Sequence, residues 1–297
     1  MTGKSTGRSV SLVLGSGGAR GLAHIGVIQW LTEQGFAIRS IAGSSMGALI
    51  GGIYATGKLD TYTRWVCELE RIDVLRLLDF SFSTQALFKG ERIIEVLRDL
   101  IGERDIEDLP ISYTAVATDA DSGKEIWLNQ GPLFDAIRAS IAIPTVFTPF
   151  TIQGRRLVDG GLVNPIPIAP TMNDVTDLTI AVNLNAKEEA QFEHRPSRPP
   201  LIRVPPGGHR ERILKFIENL QAQVGQTEER EDNVFDIISR SLDTMQTSIA
   251  RFKLASYMPD VVVDLPRNCC SFYEFHRARE MIEIGRSRAA AALARYS

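Results

Sequence analysis

The sequence predicts an α/β fold built on a mostly parallel sheet. Three observations lead there. Short apolar runs alternate with helical patterns over residues 10–56. Glycine clusters, "LGSGGARG" and "IAGSSMGALIGG", mark the places where a run turns into a helix. Later in the chain, "LTIAVNL" again has the character of a buried strand.

Taken in order, Val10 to Leu14 is β-branched, apolar and bounded by Gly15, which makes it a buried strand. Leu22, Ile25, Ile28 and Leu31 then recur at helical spacing, and Gly35 stops that helix as a C′ residue. Ser40 to Ala42 is a second short strand. Met46 to Thr56 is apolar nearly all round, so it is a buried helix, and its three glycines imply close packing. Residues 59–109 look helical, with Ile93, Ile94, Leu97 and Leu100 on one face. "ISYTAVATD" and "KEIWLNQG" flank a "DSG" turn as paired strands. Residues 132–142 are helical up to the stop at Pro144, and "TIQGRRLVDGG" is a hairpin turning near Gly154.

Residues 196–206 hold five of the 14 prolines and read as a loop. Beyond it, Val234, Ile238, Leu242, Met245, Ile249 and Phe252 step by three and four. They predict one long amphipathic helix, capped by Asp232 or Asn233. "DVVVDL" is a strand, and an Arg/Ala-rich helix follows. The expected organisation is a tail over 1–9 and a single domain over 10–297, with the late strand rejoining the sheet. Within that domain a motif-bearing part (10–185), a proline-rich loop (196–208) and a helical part (209–297) are distinguished.

The 297 residues are 44% hydrophobic and 23% charged, an ordinary globular composition. A net charge of −3 provides no field for nucleic acid. Three cysteines without a CxxC pair suggest neither a zinc site nor a disulfide framework, and a reducing compartment is expected. No apolar core precedes the first strand, so no signal peptide is expected. No uninterrupted apolar run reaches about 18 residues, so no spanning helix is expected. The protein is expected in the cytoplasm, meeting a membrane only from its surface.

"LGSGGARG" fails as a dinucleotide fingerprint, because the third glycine position holds Arg20 and no acid closes the second strand. It fails as a phosphate loop for want of the lysine. Besides a plain turn, an anion hole remains. The amides of Gly17, Gly18 and Ala19 sit at a helix start, where unpaired N–H groups favour negative charge. Arg20 either braces that loop or approaches the anion. Gly43, Ser44, Ser45, Met46 and Gly47 fit G-x-S-x-G between strand and helix, a nucleophile elbow presenting Ser45. Ser44 occupies an x position and points elsewhere. The two clusters together supply a nucleophile and an oxyanion stabiliser for acyl transfer.

Asp159, before Gly160 and Gly161, is presented by a tight turn, although D-G is also an ordinary Asx turn. His276 is the alternative base, since the order Ser45, Asp159, His276 suits a triad. His24 reads as a packing residue, and His194 and His209 as solvated ones.

"GSGGARG", "GSSMG" and "DGG" in this order, with "ATDADSG" and "AIRASIAIPTVFTPF" between, resemble the patatin-like phospholipase family over residues 10–185. The resemblance implies a three-layer α/β/α sandwich and lipid acyl ester hydrolysis by a Ser–Asp dyad. Ser45 would be the nucleophile and Asp159 the base. Gly17, Gly18, Ala19 and Arg20 would form the oxyanion site, with Gly15, Gly43, Gly47, Gly160 and Gly161 supporting the turns. No metal and no cofactor are implied. The expected substrate is a phospholipid, lysophospholipid or other fatty acyl ester, and a homo-oligomer is compatible. A carboxylate with a pKa near about 4 is a weak base, so the oxyanion site is expected to carry much of the catalysis. The Leu- and Phe-rich residues 74–88 could cap an acyl pocket or contact a bilayer. A non-catalytic lipid- or protein-binding module on the same scaffold is the reading from a different class.

Overall fold

A computed structural model of the protein describes residues 7–77, 86–192 and 234–296. The chain divides into two compact units, 1–194 with 242–297, and 195–241. The first unit is built on an eight-stranded sheet of β1 (Ser9–Leu14), β2 (Ala37–Ser44), β4 (Ser112–Asp119), β5 (Glu125–Leu128), β7 (Phe150–Ile152), β8 (Arg155–Asp159), β9 (Leu178–Ala186) and β10 (Val261–Pro266). Its order is β10-β9-β1-β2-β4-β8-β7, with β5 also on β4. The pairs from β10 through β4 are parallel, while β8, β7 and β5 add antiparallel pairs. The predicted fold class is therefore correct: helices surround a mostly parallel sheet.

The helices are α1 (Ala23–Glu33), α2 (Met46–Ala55), α3 (Leu59–Glu68), α4 (Arg71–Arg76), α5 (Glu91–Ile101), α6 (Leu133–Ser140), α7 (Val234–Tyr257) and α8 (Ala278–Ala292). Strand alternation sends the residues of β1 to two cores. Val10, Leu12 and Leu14 join α1, α2 and α8 in the larger one, whereas Val13 meets Ile166, Ala181 and Ala250 of α7 in the other. Helix α1 ends as expected. Gly35 takes φ 78°, its N–H donates to Thr32, and the N–H of Phe36 reaches back to Leu31, a Schellman motif.

Two expectations need correction. The second strand is longer than Ser40 to Ala42, because parallel pairing with β1 extends it back to Ala37 and pairing with β4 carries it on to Ser44. Residues 59–109 are not all helical. Ala86–Phe88 is a short strand, β3, paired in parallel with β6 (Thr145–Phe147) in a separate two-stranded sheet. Helix α7 forms as one helix as expected, yet leaves part of its apolar stripe to solvent: Met245 is 53% and Phe252 75% exposed, while Gln246, Thr247 and Ala250 are buried. Gln246 sits beside Gly161, and Ala250, with Leu254 and Tyr257, packs against Val13 and Ile166. Its expected cap, Asp232 or Asn233, and the proline-rich loop lie outside the described residues. The late strand β10 pairs with β9. Among the described residues, no helix is long and apolar enough to cross a membrane.

Candidate active site

Strand register brings three sequence motifs together. Leu14 lies opposite Gly43, Ser44 opposite Val116, and Ala117 opposite Asp159. The glycine-rich loop after β1, the elbow after β2 and the end of β8 therefore emerge along one line across the sheet. Carboxyl ends of adjacent parallel strands are where open α/β sheets bind ligands.

Ser45 sits on the elbow with φ 55° and ψ −122°, a conformation that a residue with a Cβ adopts at a cost of about 1–3 kcal/mol. The strain turns the chain sharply from β2 into α2. A Cβ on Gly43 would lie 2.4 Å from the carbonyl carbon of Gly47, so the crowded elbow requires a glycine there. The backbone N–H of Ser45 donates to Ser140 Oγ at 2.9 Å, and that hydroxyl donates to the Val116 carbonyl at 2.6 Å. Ser140 thus links α6, β4 and the elbow. It went unnoticed in the sequence, where the only signal is one serine inside "AIRASIAIP". Ser44 is buried on the other side of the elbow, beside Gly160, and its hydroxyl has no partner among the described residues.

Asp159 is only 2% exposed. Its Oδ2 accepts the Ser45 hydroxyl at 2.5 Å, and its Oδ1 accepts the Gly161 N–H at 2.7 Å. The Asx turn anticipated at D-G is therefore also present, and the same carboxylate serves both bonds. The backbone of Asp159 is fixed by donation to Ala142 O at 3.0 Å and by the Thr118 hydroxyl at 2.9 Å. Burial pushes its pKa up to about 7, against the opposing pull of the Ser45 and Gly161 bonds. The ordinary carboxylate pKa assumed from sequence is thus corrected: desolvation makes Asp159 a far better proton acceptor than an exposed aspartate.

The loop after β1 is anchored by Gly15 N–H to Val182 O and Ser16 N–H to Pro165 O. Gly17 and Gly18 have N–H groups with no acceptor among the described residues. Ala19 does not join them. Its N–H donates to Phe272 O at 2.9 Å, which removes it from the expected set of anion donors. Gly18 needs its lack of a side chain, since φ is +55° and a Cβ would lie 2.6 Å from Phe272 O. Arg20 is buried, and its donors reach Gly17 O (3.1 Å), Arg267 O (3.0 Å) and Asp243 (2.9 Å). It braces the loop from behind.

Among the described residues, the hydrogen-bond partners of Ser45 and Asp159 include no histidine. His24 is buried, donates Nε2–H to Gly15 O at 2.8 Å, and is neutral because burial pushes its pKa down to about 4. His276 is half-buried in a short 3-10 turn, Phe275–Arg277. His194 and His209 lie outside the described residues.

Ser45 and Gly18 open onto a cavity of about 120 Å³ whose walls are almost wholly apolar, among them Leu49, Trp65, Leu97 and Phe275. Of the Leu- and Phe-rich stretch 74–88, Val74 and Leu77 line it, and residues 78–85 lie outside the described residues. Among the described residues no cluster of His, Cys, Asp or Glu could hold a metal ion.

The chain is similar to known proteins. The family model described as Patatin-like phospholipase matches residues 12–172. An NTE family protein of Mycobacterium tuberculosis is 40% identical over 97% of this chain and 92% of its own length. A patatin-like phospholipase domain-containing protein of Caenorhabditis elegans is 36% identical over 63% of this chain and 14% of its own. Neuropathy target esterase sws of Drosophila melanogaster is 31% identical over the same 63% and 14%. The chain belongs to the patatin-like phospholipase family, which is a family of lipid hydrolases.

Proposed function

We propose that this protein is a serine acyl hydrolase that cleaves the carboxylic esters of phospholipids or lysophospholipids with a Ser45–Asp159 dyad. The observation that carries this reading is the 2.5 Å bond from Ser45 Oγ to a buried carboxylate, on a strained elbow at the end of an apolar cavity. The acyl chain lies along that cavity, whose apolar walls suit a hydrocarbon chain. Ser45 Oγ attacks the ester carbonyl as Asp159 takes its proton. The carbonyl oxygen becomes an oxyanion facing the Gly17 and Gly18 amides and the positive end of α2. The tetrahedral centre collapses, the proton passes to the leaving alcohol, and an acyl-enzyme remains. Water, deprotonated by Asp159, then attacks that ester. The proton returns to Ser45 as the fatty acid leaves.

A base with a pKa near the working pH suits this cycle, because it both accepts and returns a proton. Contact with a lipid surface is part of the reading. Exposed Ile72 and Tyr273 stand two residues from cavity-lining Val74 and Phe275. Turnover of a short-chain ester by purified protein tests the proposal against a non-catalytic binding module. Hydrolysis that Ser45→Ala abolishes is the expected result, and a folded protein without turnover would favour the module.

A further inference from the structure

We propose that Asp243 is a positioning residue for the Gly18 amide and acts through Arg20. The inference rests on the acyl-hydrolase reading above. It concerns a residue of α7, well outside the stretch that matches the family model.

The geometry begins with one peptide unit. The carbonyl of Gly17 and the N–H of Gly18 belong to the same planar group and point in opposite directions. Arg20 Nε donates to that carbonyl at 3.1 Å. Holding the carbonyl therefore aims the N–H the other way. Gly18 lines the cavity into which Ser45 opens, and its N–H has no acceptor among the described residues. A charge-assisted bond to the carbonyl also polarises the whole amide, which strengthens the donor at its other end.

Arg20 aims the peptide only as well as its own head is fixed. A guanidinium is a rigid fork, so two further bonds settle its plane. One is to the backbone carbonyl of Arg267 at 3.0 Å. The other, at 2.9 Å, is to Asp243, the one side-chain acceptor of Arg20 among the described residues. Asp243 is the partner that a substitution can remove. The same side of the loop is closed by Phe272, whose carbonyl takes the Ala19 N–H and whose ring packs where a Gly18 side chain would be.

The test compares Asp243→Ala and Asp243→Asn, each alone and in an Arg20→Met background, by steady-state kinetics on a soluble ester and by thermal unfolding. Arg20→Met keeps the apolar stem and removes every donor. We expect Asp243→Ala to lower kcat by roughly tenfold, a fraction of the 10²–10³ lost with a whole oxyanion donor. KM should change little, because the amide acts mainly in the transition state. Asp243→Asn, which keeps a neutral acceptor, should lose less. In the Arg20→Met background neither change should lower kcat further, since the bond is already gone. Unchanged kcat in Asp243→Ala, or an equal loss in both backgrounds, would overturn the proposal. If Arg20→Met does not fold, the single variants decide: a graded kcat loss at constant KM supports it, and a fall in Tm with kcat intact overturns it. Turnover that survives Ser45→Ala would instead overturn the hydrolase reading itself.

Discussion

Asp159 is asked to carry a negative charge in a place where burial favours the neutral acid, and that conflict has two measurable consequences. The carboxylate is the form that accepts the Ser45 proton, so kcat/KM should rise with pH through about 7 and then level off. A stopped ester assay across pH 5 to 9 reads this directly; these limits are roughly two units either side of that midpoint. Stability runs the other way. The folded-state pKa lies above the ordinary aspartate value, so the native protein binds the extra proton between the two. Its contribution to stability is full below the unfolded pKa and is lost as pH rises through the folded one. Asp159→Asn should therefore cut turnover by roughly 10²–10⁴, the usual range for a general base. It should also raise Tm relative to wild type at pH 8, with a smaller gain at pH 5. Ser44→Ala should keep most activity, because that hydroxyl makes no bond among the described residues. At this scale the sequence offered Ser45 through its G-x-S-x-G elbow, whereas Asp159, whose D-G-G alone reads as an ordinary Asx turn, was singled out by the resemblance of the three motifs to the family. The pKa of Asp159 was not legible, since burial depends on elements far away in the chain.

Two elements hold the chemistry in place, and each can be loosened separately. In the loop after β1, Gly18→Val would drive a branched side chain into the Phe272 carbonyl and ring. It should reduce kcat by about 10²–10³ with a smaller change in KM, as expected when an oxyanion donor is misplaced. At the elbow, Ser140→Ala leaves the buried Ser45 N–H without its acceptor. Loss of such a partner costs about 1–3 kcal/mol. Thermal unfolding should register that loss, and labelling of Ser45 by an acylating probe should slow. The sequence reading took the glycine loop as an anion site and placed Ala19 in it. Only the long-range contact with Phe272 shows that this amide is already bonded. The periodicity of α7 predicted the helix but not which of its side chains dock: Gln246 lies beside Gly161, and Ala250 packs with Val13 and Ile166.

At the scale of the molecule, the part with the recognisable motifs is not the part that completes the sheet. The family model ends at residue 172, before β9 and β10 and before α8, which packs on α1. A chain ending at residue 192 would lose Val261, Val263 and Leu265 from the sheet and Met281 and Ile282 from the main core. It should show no cooperative unfolding transition and no ester turnover; a folded, active fragment would mean that these elements are dispensable. The parallel sheet was legible because alternating strands and helices leave few other arrangements. Which late residues return to brace the motifs was not, since "CCSFYEF" carries no local signal for contact with residues 18 and 19. The central claim is that Ser45 attacks with Asp159 as its base. Labelling by a fluorophosphonate, followed by peptide mapping, in wild type and in the Ser45→Ala, Asp159→Asn and His276→Ala variants tests it most directly. The label should sit on Ser45, vanish in Ser45→Ala, slow sharply in Asp159→Asn and persist in His276→Ala; a label elsewhere, or one lost with His276 in a folded protein, would contradict the account.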